Sequence, residues 1–164
     1  MGYNFNFRDI WAQTDFIVGG VIVTLWLSAV TMITGLIIGL AGAAALVYGP
    51  RWLRIATTAY VEIIRNTPLI VQLFIVFFGL PSAGIRLDAT TAAVLALGIN
   101  LGAYSIEIIR AGLEAIPRAQ IEAGHSLGLS GPQVFRHVVL FPAVKIVYPA
   151  LSSQFVLLDR KSVV

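Results

Sequence analysis

A run of 35 residues without a charged side chain, from Phe16 to Pro50, constrains this chain more than any other feature of its sequence. A helix needs about 20 apolar residues to cross the hydrocarbon core of a bilayer. At about 1.5 Å per residue, the stretch 20–48 alone reaches roughly 43 Å, enough for the core and both headgroup layers. A cleavable signal peptide would have a shorter apolar region after a basic start, whereas the first fifteen residues hold one arginine and two aspartates. The run therefore predicts a first transmembrane helix.

The composition is that of a membrane protein throughout. Apolar residues make up 58% of the chain and charged residues 12%, about half the roughly 25% charged share of soluble domains. The mean hydropathy is +0.88. Nineteen charged side chains (11 basic and 8 acidic) supply too little polar surface for a soluble domain of this size, which excludes a soluble enzyme, a nucleic-acid binder and a disordered linker. The lack of cysteine excludes disulfides, thiolate metal sites and a cysteine nucleophile.

Three further uncharged or nearly uncharged runs predict an all-α bundle of about four spanning helices within residues 16–158. They cover residues 66–85, 89–106 and 138–158, and Lys145 alone interrupts the last. The segment 107–137 holds six of the nineteen charges and both histidines, so it is too polar to span. Lys145 lies roughly 10 Å inside its run, within reach of the interface for a flexible ammonium side chain.

The distribution of basic residues predicts the orientation. Cytoplasmic loops are enriched in arginine and lysine. Six arginines belong on one side: Arg51, Arg54, Arg65, Arg110, Arg118 and Arg136. Four basic residues lie on the other: Arg8, Arg86, Arg160 and Lys161. We therefore expect residues 1–15 to be extracytoplasmic, and residues 49–56 and 107–137 to be cytoplasmic.

Polar side chains at membrane depth are candidates for an aqueous substrate path, because they are costly in lipid. They are Asn66, Gln72, Asn100, Ser152, Ser153 and Gln154. Hydrogen bonds between helices explain most of them equally well, and the sequence leaves both roles open. No aspartate or glutamate lies inside a span to form a proton relay with Lys145.

Two local patterns predict how the first two spans are built. Gly35, Gly39 and Ala43 are spaced four residues apart, which lets two helix backbones approach closely. Pro68 either begins the regular part of the second span or kinks a helix that starts near Ala56. Glu62 and Arg65 are three residues apart, a spacing that allows an ion pair on one helical face.

The polar segment 107–137 predicts a short helix held between two spans. Glu107 and Arg110 have the spacing of an ion pair where the third span ends. Pro117 suits the first turn of a helix over 117–127, and Gly128 suits its end. Ser130 and Gln133 have the pattern of a capping box at the start of a helix that continues into the fourth span. Such a helix is either an ordinary surface loop or a docking point through which a partner moves both spans.

Three motifs carry a resemblance to a known family. They are GAYSIEIIRAG at residues 102–112, AIPRAQ at residues 115–120 and VEIIRNTPLIVQL at residues 61–73. Over roughly residues 20–158 the chain resembles the permease subunit of ABC importers for polar amino acids, of the histidine, glutamine, arginine and glutamate uptake type. Residues 122–124, Gly128 and the VVL at 138–140 are similar to the EAA loop with which these permeases contact their ATPase.

The resemblance implies a type I ABC importer permease fold and alternating access driven by a separate ATPase. It assigns ATPase coupling to Ala115, Pro117, Glu122, Ala123, Gly124 and Gly128, and small residues at 123 and 124 are expected to let the ATPase surface approach. The implied partners are an ATPase dimer, a second permease subunit (the same or a related one), and a periplasmic or surface amino-acid-binding protein, in the bacterial inner membrane. ATP is expected on the partner, since the sequence has no Gly-x-x-x-x-Gly-Lys-Ser/Thr loop, and no cofactor, metal or nucleic acid is expected on this chain.

Three departures from the family pattern are visible. Gly124 stands where a second alanine is usual, and Pro142 follows Phe141, so that the usual Leu-Pro is displaced by one residue. The tail 159–164 begins with Asp-Arg-Lys, where the family continues into a fifth spanning helix, so we expect a truncated or frameshifted chain that transports poorly. The alternatives are an ion-coupled secondary transporter, which would need intramembrane carboxylates or an inverted repeat, and a membrane-embedded enzyme, which would need a catalytic cluster.

Overall fold

The structure is a computed structural model that describes residues 13–162, with side chains described as far as residue 157. The predicted segment 1–15 and the atypical tail 159–164 therefore lie mostly outside the described residues. Every regular element within that part of the chain is helical, as the sequence predicts. The elements are α1 (Thr14–Tyr48), α2 (Arg51–Asn66), α3 (Leu69–Ser82), α4 (Ala89–Glu114), α5 (Arg118–Ser126) and α6, which covers 131–162.

The centre of the bundle is the contact between α1 and α4. Gly35, Gly39 and Ala43 are buried on α1, together with Thr31. A Cβ atom added to Gly35 would lie 2.7 Å from the side chain of Leu101, and one added to Gly39 would overlap Cβ of Ser105. These glycines therefore allow the two helix backbones to approach closely, and the predicted role of the four-residue spacing is confirmed.

The second span is two helices bent by 107° at Pro68, which is the kinked alternative that the sequence left open. α2 begins at Arg51, earlier than the expected start near Ala56, and Pro68 immediately precedes α3. Proline has no backbone N–H and disfavours helical geometry in the residue before it. Thr67 accordingly has extended backbone angles (φ −104°, ψ 129°). α3 has 14 residues and is about 21 Å long, so it is shorter than the hydrocarbon core.

The third span starts where the sequence predicts and ends later. Asp88 caps α4 by accepting a 3.0 Å hydrogen bond from the backbone N–H of Thr91 and another from the Thr91 hydroxyl. These hydrogen bonds hold the pKa of the Asp88 carboxyl below its usual value. α4 continues beyond Ile106 to Glu114, so the charged residues at its end are displayed on a helix rather than on a loop.

The short helix α5 and its connections agree with the prediction in outline. Pro117 is the residue that caps α5 rather than its first turn, and Gly128 ends the segment with φ +78°, a conformation that glycine adopts readily. The backbone N–H of Ser130 donates to Oε1 of Gln133 at 2.8 Å, which confirms the capping box. The helix that follows continues into the fourth span.

α6 contains a π-helical turn at its start. Gly131–Val134 is α-helical, Phe135–Val139 is π-helical and Leu140–Ser162 is α-helical again. A π turn closes hydrogen bonds between residues five apart. Phe135 and Leu140 therefore lie on one side, where both line an apolar groove of about 390 Å³ between α1, α4 and α6.

Among the described residues, three helices are long and apolar enough to cross a membrane: Thr14–Tyr48, Ala89–Glu114 and Gly131–Leu157. The bent pair of α2 and α3 is a fourth crossing if it is counted as one broken span. The predicted number of about four spanning helices is consistent with this count, and the second of them is irregular.

Candidate functional site

A polar cavity of about 670 Å³ lies between α2, the C-terminal half of α4 and the end of α1. Its lining carries both signs of charge in equal number. The six charged residues are Arg54, Glu62, Arg65, Glu107, Arg110 and Glu114, and Thr58, Asn66 and Tyr104 add polar groups. Three positive and three negative groups face one another, so the cavity has no formal net charge.

One face of α2 supplies half of this charged lining. Arg54, Thr58, Glu62 and Arg65 are spaced four, four and three residues apart, which places them along one side of a helix. The sequence predicts a cytoplasmic connection over residues 49–56, in which the charges serve only as orientation signals. The helical spacing was present in the sequence, and it would have indicated the cavity had the helix been predicted to begin at Arg51.

Ion pairs organise the facing side of the cavity. On α4, Nε of Arg110 lies 3.2 Å from one Glu107 carboxylate oxygen, and Nη1 lies 2.8 Å from Glu114. The predicted pair of Glu107 and Arg110 is thus confirmed. Arg65 reaches across from α2 to within 3.8 Å of Glu107 and lies 5.5 Å above the ring of Tyr104.

Arg54 and Glu62 differ from the other charged groups in the cavity. Arg65 pairs with Glu107 on another helix rather than with Glu62, three residues before it, which the spacing also allows. Among the side chains that the structure describes, residues 13–157, no ion pair involves Arg54 or Glu62. Both side chains are exposed and line the cavity.

The polar residues predicted to line a path are not brought together in one place. Asn66 lines the charged cavity. Gln72 and Asn100 are buried, and Nδ2 of Asn100 donates to Oε1 of Gln72 at 3.2 Å, which is the alternative that the sequence left open. Ser152, Ser153 and Gln154 lie on α6, where the Ser153 hydroxyl donates to the carbonyl of Pro149. A role of this group in the path stays a prediction.

The residues assigned to ATPase coupling lie on and around α5, and five of the six are exposed: Ala115, Pro117, Glu122, Ala123 and Gly128. Gly124 is buried. A Cβ atom at Gly124 would lie 3.1 Å from a methyl group of Val134 and 3.3 Å from one of Val138. Its small size therefore lets α5 pack closely on the start of α6, whereas Glu122 and Ala123 point away from the chain.

Comparison with known proteins places this arrangement in context. Residues 34–158 match the family model described as "Binding-protein-dependent transport system inner membrane component". The L-cystine transport system permease protein TcyB of Bacillus subtilis is 39% identical over 142 residues, which are 87% of this chain and 61% of that protein. The glutamine transport system permease protein GlnP of Escherichia coli K12 is 36% identical over 155 residues, 93% of this chain and 71% of that protein.

Solved structures agree with these similarities. A crystal structure of an amino acid ABC transporter with histidines matches with a TM-score of 0.90 and 35% identity, over 98% of this chain and 75% of that chain. The methionine ABC transporter MetNI, in an inward-facing conformation, matches with a TM-score of 0.73 at 24% identity, over 92% of this chain and 73% of that chain, and supports the fold alone. The chain spans 61% and 64% of two Bacillus subtilis permeases that it matches, TcyB and GlnM.

Proposed function

Since the chain belongs to the family of binding-protein-dependent transport system inner membrane components, we propose that it is the membrane-spanning part of an ABC importer for polar amino acids. The family match over residues 34–158 carries this proposal. The relatives whose names mention glutamine and cystine support the class of substrate. A secondary transporter, the alternative left by the sequence, has no counterpart among these relatives.

The charged cavity supports a zwitterionic substrate. An amino acid at neutral pH has an ammonium and a carboxylate but no net charge from these two groups. A cavity with three guanidinium and three carboxylate groups offers each end of such a molecule a partner of opposite sign, whereas an ion of one sign meets as much repulsion as attraction. Arg54 for the carboxylate and Glu62 for the ammonium are the groups that need not first break an ion pair.

The rest of the mechanism is proposed from the family. A separate ATPase dimer binds ATP and docks on the exposed face of α5, where Glu122 and Ala123 lie. Because α5 is joined to α4 on one side and to α6 on the other, a movement of α5 moves two spans together. A binding protein supplies the amino acid from outside, and a second permease subunit completes the path. The cavity is then the cytoplasmic end of that path.

The proposed orientation has the N-terminus outside and α5 in the cytoplasm, and cysteine labelling tests it. The chain has no cysteine, so single cysteines introduced at Ser82 and Ser126 report their own positions. Both residues are exposed. In sealed cells, an impermeant maleimide is expected to label the Ser82→Cys chain from outside and the Ser126→Cys chain only after permeabilisation. Outside labelling at position 126 would reverse the proposed orientation.

Uptake by the complete transporter tests the proposed role of the cavity. We expect Arg54→Gln to lower uptake of labelled glutamine or cystine into proteoliposomes by about tenfold or more, because one charge-assisted hydrogen bond contributes about 1.5–3 kcal/mol and about 1.4 kcal/mol corresponds to a factor of ten. Arg51→Gln is the matched control, since Arg51 is exposed on the same helix but outside the cavity lining. Equal uptake by both variants would contradict the role of the cavity, and ATP-driven transport of no amino acid would contradict the proposed function.

A further inference from the structure

The sharp bend between α2 and α3 leaves backbone carbonyls without their usual helical donors. Pro68 has no N–H to offer. The hydroxyl of Thr67 donates to the carbonyl of Ile63 at 2.7 Å. The side-chain amide of Gln72 donates to the carbonyl of Ile64 at 2.8 Å and to that of Thr67 at 2.9 Å. A side chain of α3 therefore donates hydrogen bonds across the bend to backbone carbonyls at the end of α2.

Both polar atoms of the Gln72 amide have hydrogen-bond partners within the chain. Its nitrogen donates to two carbonyls, and its oxygen accepts the hydrogen bond from Asn100. Gln72 is 7% exposed and Asn100 is 5% exposed. Neither residue lines the charged cavity. In a buried site, an amide released from these partners would lose about 1–3 kcal/mol for each unsatisfied group, so the pair favours one geometry of the bend.

Two further contacts join α2 to α4, at positions that precede and follow Asn100 along α4. The hydroxyl of Tyr60 donates to the carbonyl of Ile99 at 2.6 Å, directly beside Asn100 in sequence. Arg65 approaches Glu107. The two helices of the bend thus contact α4 at three points. α4 also forms the opposite wall of the charged cavity.

We propose that Gln72 and Asn100 are positioning residues, whose paired amides fix the α2–α3 bend and thereby hold the charged face of α2 over the cavity. The displacement of a residue on α2 increases with its distance from the bend. Arg54 lies twelve residues, about 18 Å, from the end of α2. A change of about 20° in the bend would displace it by about 6 Å, beyond the reach of a hydrogen bond. The link to transport rests on the proposed function, and the geometric role does not.

Distance measurement between spin labels tests the geometric role in the full chain, in lipid nanodiscs. Labels at cysteines replacing Ala59 on α2 and Ser82 on α3 report the bend, and both positions are exposed. A narrow distance distribution is expected for the parent chain. Gln72→Met, which keeps the length of the side chain and removes its donors, is expected to broaden this distribution or shift it by more than about 5 Å. Gln120→Met, the same change at an exposed site on α5, is expected to have no effect.

A second label pair distinguishes a moved bend from an unfolded chain. Val23 on α1 and Leu95 on α4 are both exposed, and a pair on two helices reports their packing, which a distance within one helix would not. Their distance is expected to stay constant in Gln72→Met. Should this variant lose that distance, Asn100→Leu, which removes only the partner of the Gln72 oxygen, takes its place in the same measurement.

The outcomes separate this proposal from the proposed function. An unchanged distribution between positions 59 and 82 in the folded variants overturns the geometric role, whatever the chain transports. A displaced bend with uptake lowered by about tenfold or more, as in Arg54→Gln, supports the full proposal. A displaced bend with unchanged uptake overturns the positioning role, since the cavity would then not depend on the bend.

Discussion

A tryptophan in place of Ala123 is expected to leave the chain inserted in the membrane and to abolish both co-purification of its ATPase and uptake of amino acids. Ala123 is exposed on α5, next to the exposed Glu122. A large side chain at this exposed position is expected to project into the surroundings and to leave folding unaffected. A protein surface that docks on α5 would instead meet a bulky obstruction, and interfaces require close complementarity.

The control for this variant is the same substitution at Ala83, which is exposed at the end of α3 on the proposed outer side. Ala83→Trp is expected to retain the ATPase. Gly124 is a poor site for this experiment, because a Cβ atom there is already in tight contact with Val134 and Val138 of the same chain, and a tryptophan would collide with them. If Ala123→Trp kept both its ATPase and its transport, α5 would be an ordinary surface helix, and the proposed coupling mechanism would be wrong.

Replacement of Gly39 by alanine is expected to destabilise the folded chain by about 1–3 kcal/mol, the usual cost of overpacking a core. The added Cβ atom would overlap Cβ of Ser105 on α4. Cβ cannot rotate away as the end of a long side chain can, so the two helices would have to separate. Because α1 and α4 form the centre of the bundle, their separation would affect most of the fold. Thermal unfolding in detergent is expected to show a Tm lower by several degrees.

Gly20 provides a matched control on the same helix. A Cβ atom there would have no atom within 4 Å, and alanine is the better helix former. Gly20→Ala is therefore expected to leave the Tm unchanged or to raise it slightly. Equal loss of stability in both variants would show that glycine acts through the backbone of α1 rather than through its contact with α4.

The parts of the fold that the sequence predicts are those set by local rules. Uncharged runs predict the spans, since length and hydropathy are properties of a single segment. Gly128, Ser130 and Gln133 predict the ends of α5 and α6, since caps depend on neighbours a few residues away. The close packing on Gly35 and Gly39 was also predictable, because the four-residue spacing marks one face of a helix.

The parts that the sequence leaves undetermined depend on contacts between segments. Pro68 is consistent with either a start or a kink, and the 107° bend depends on a glutamine eight residues beyond the carbonyl that it satisfies. The charged cavity requires α2 and α4 to face one another, which no spacing within either helix specifies. Arg65 likewise had a possible partner three residues away, yet Glu107, forty-two positions later in the sequence, is the one it approaches.

The π turn at Phe135–Val139 holds one residue more than a regular turn of α6, and the contacts on either side of it depend on that number. Val134, which packs on Gly124, and Val139, which packs with Ile116, are five positions apart and both buried. In a regular α-helix, each residue adds about 100° of rotation, so positions five apart would face different directions. The wider π turn places both valines on nearly the same side of α6. Deletion of a single residue between 135 and 139 would leave the two valines four positions apart, within about 40° of each other on a regular α-helix. The π turn is then expected to close as an α turn and to keep both contacts, whereas insertion of a further residue would turn one valine away from its partner. This segment should therefore tolerate the loss of one residue better than the gain of one.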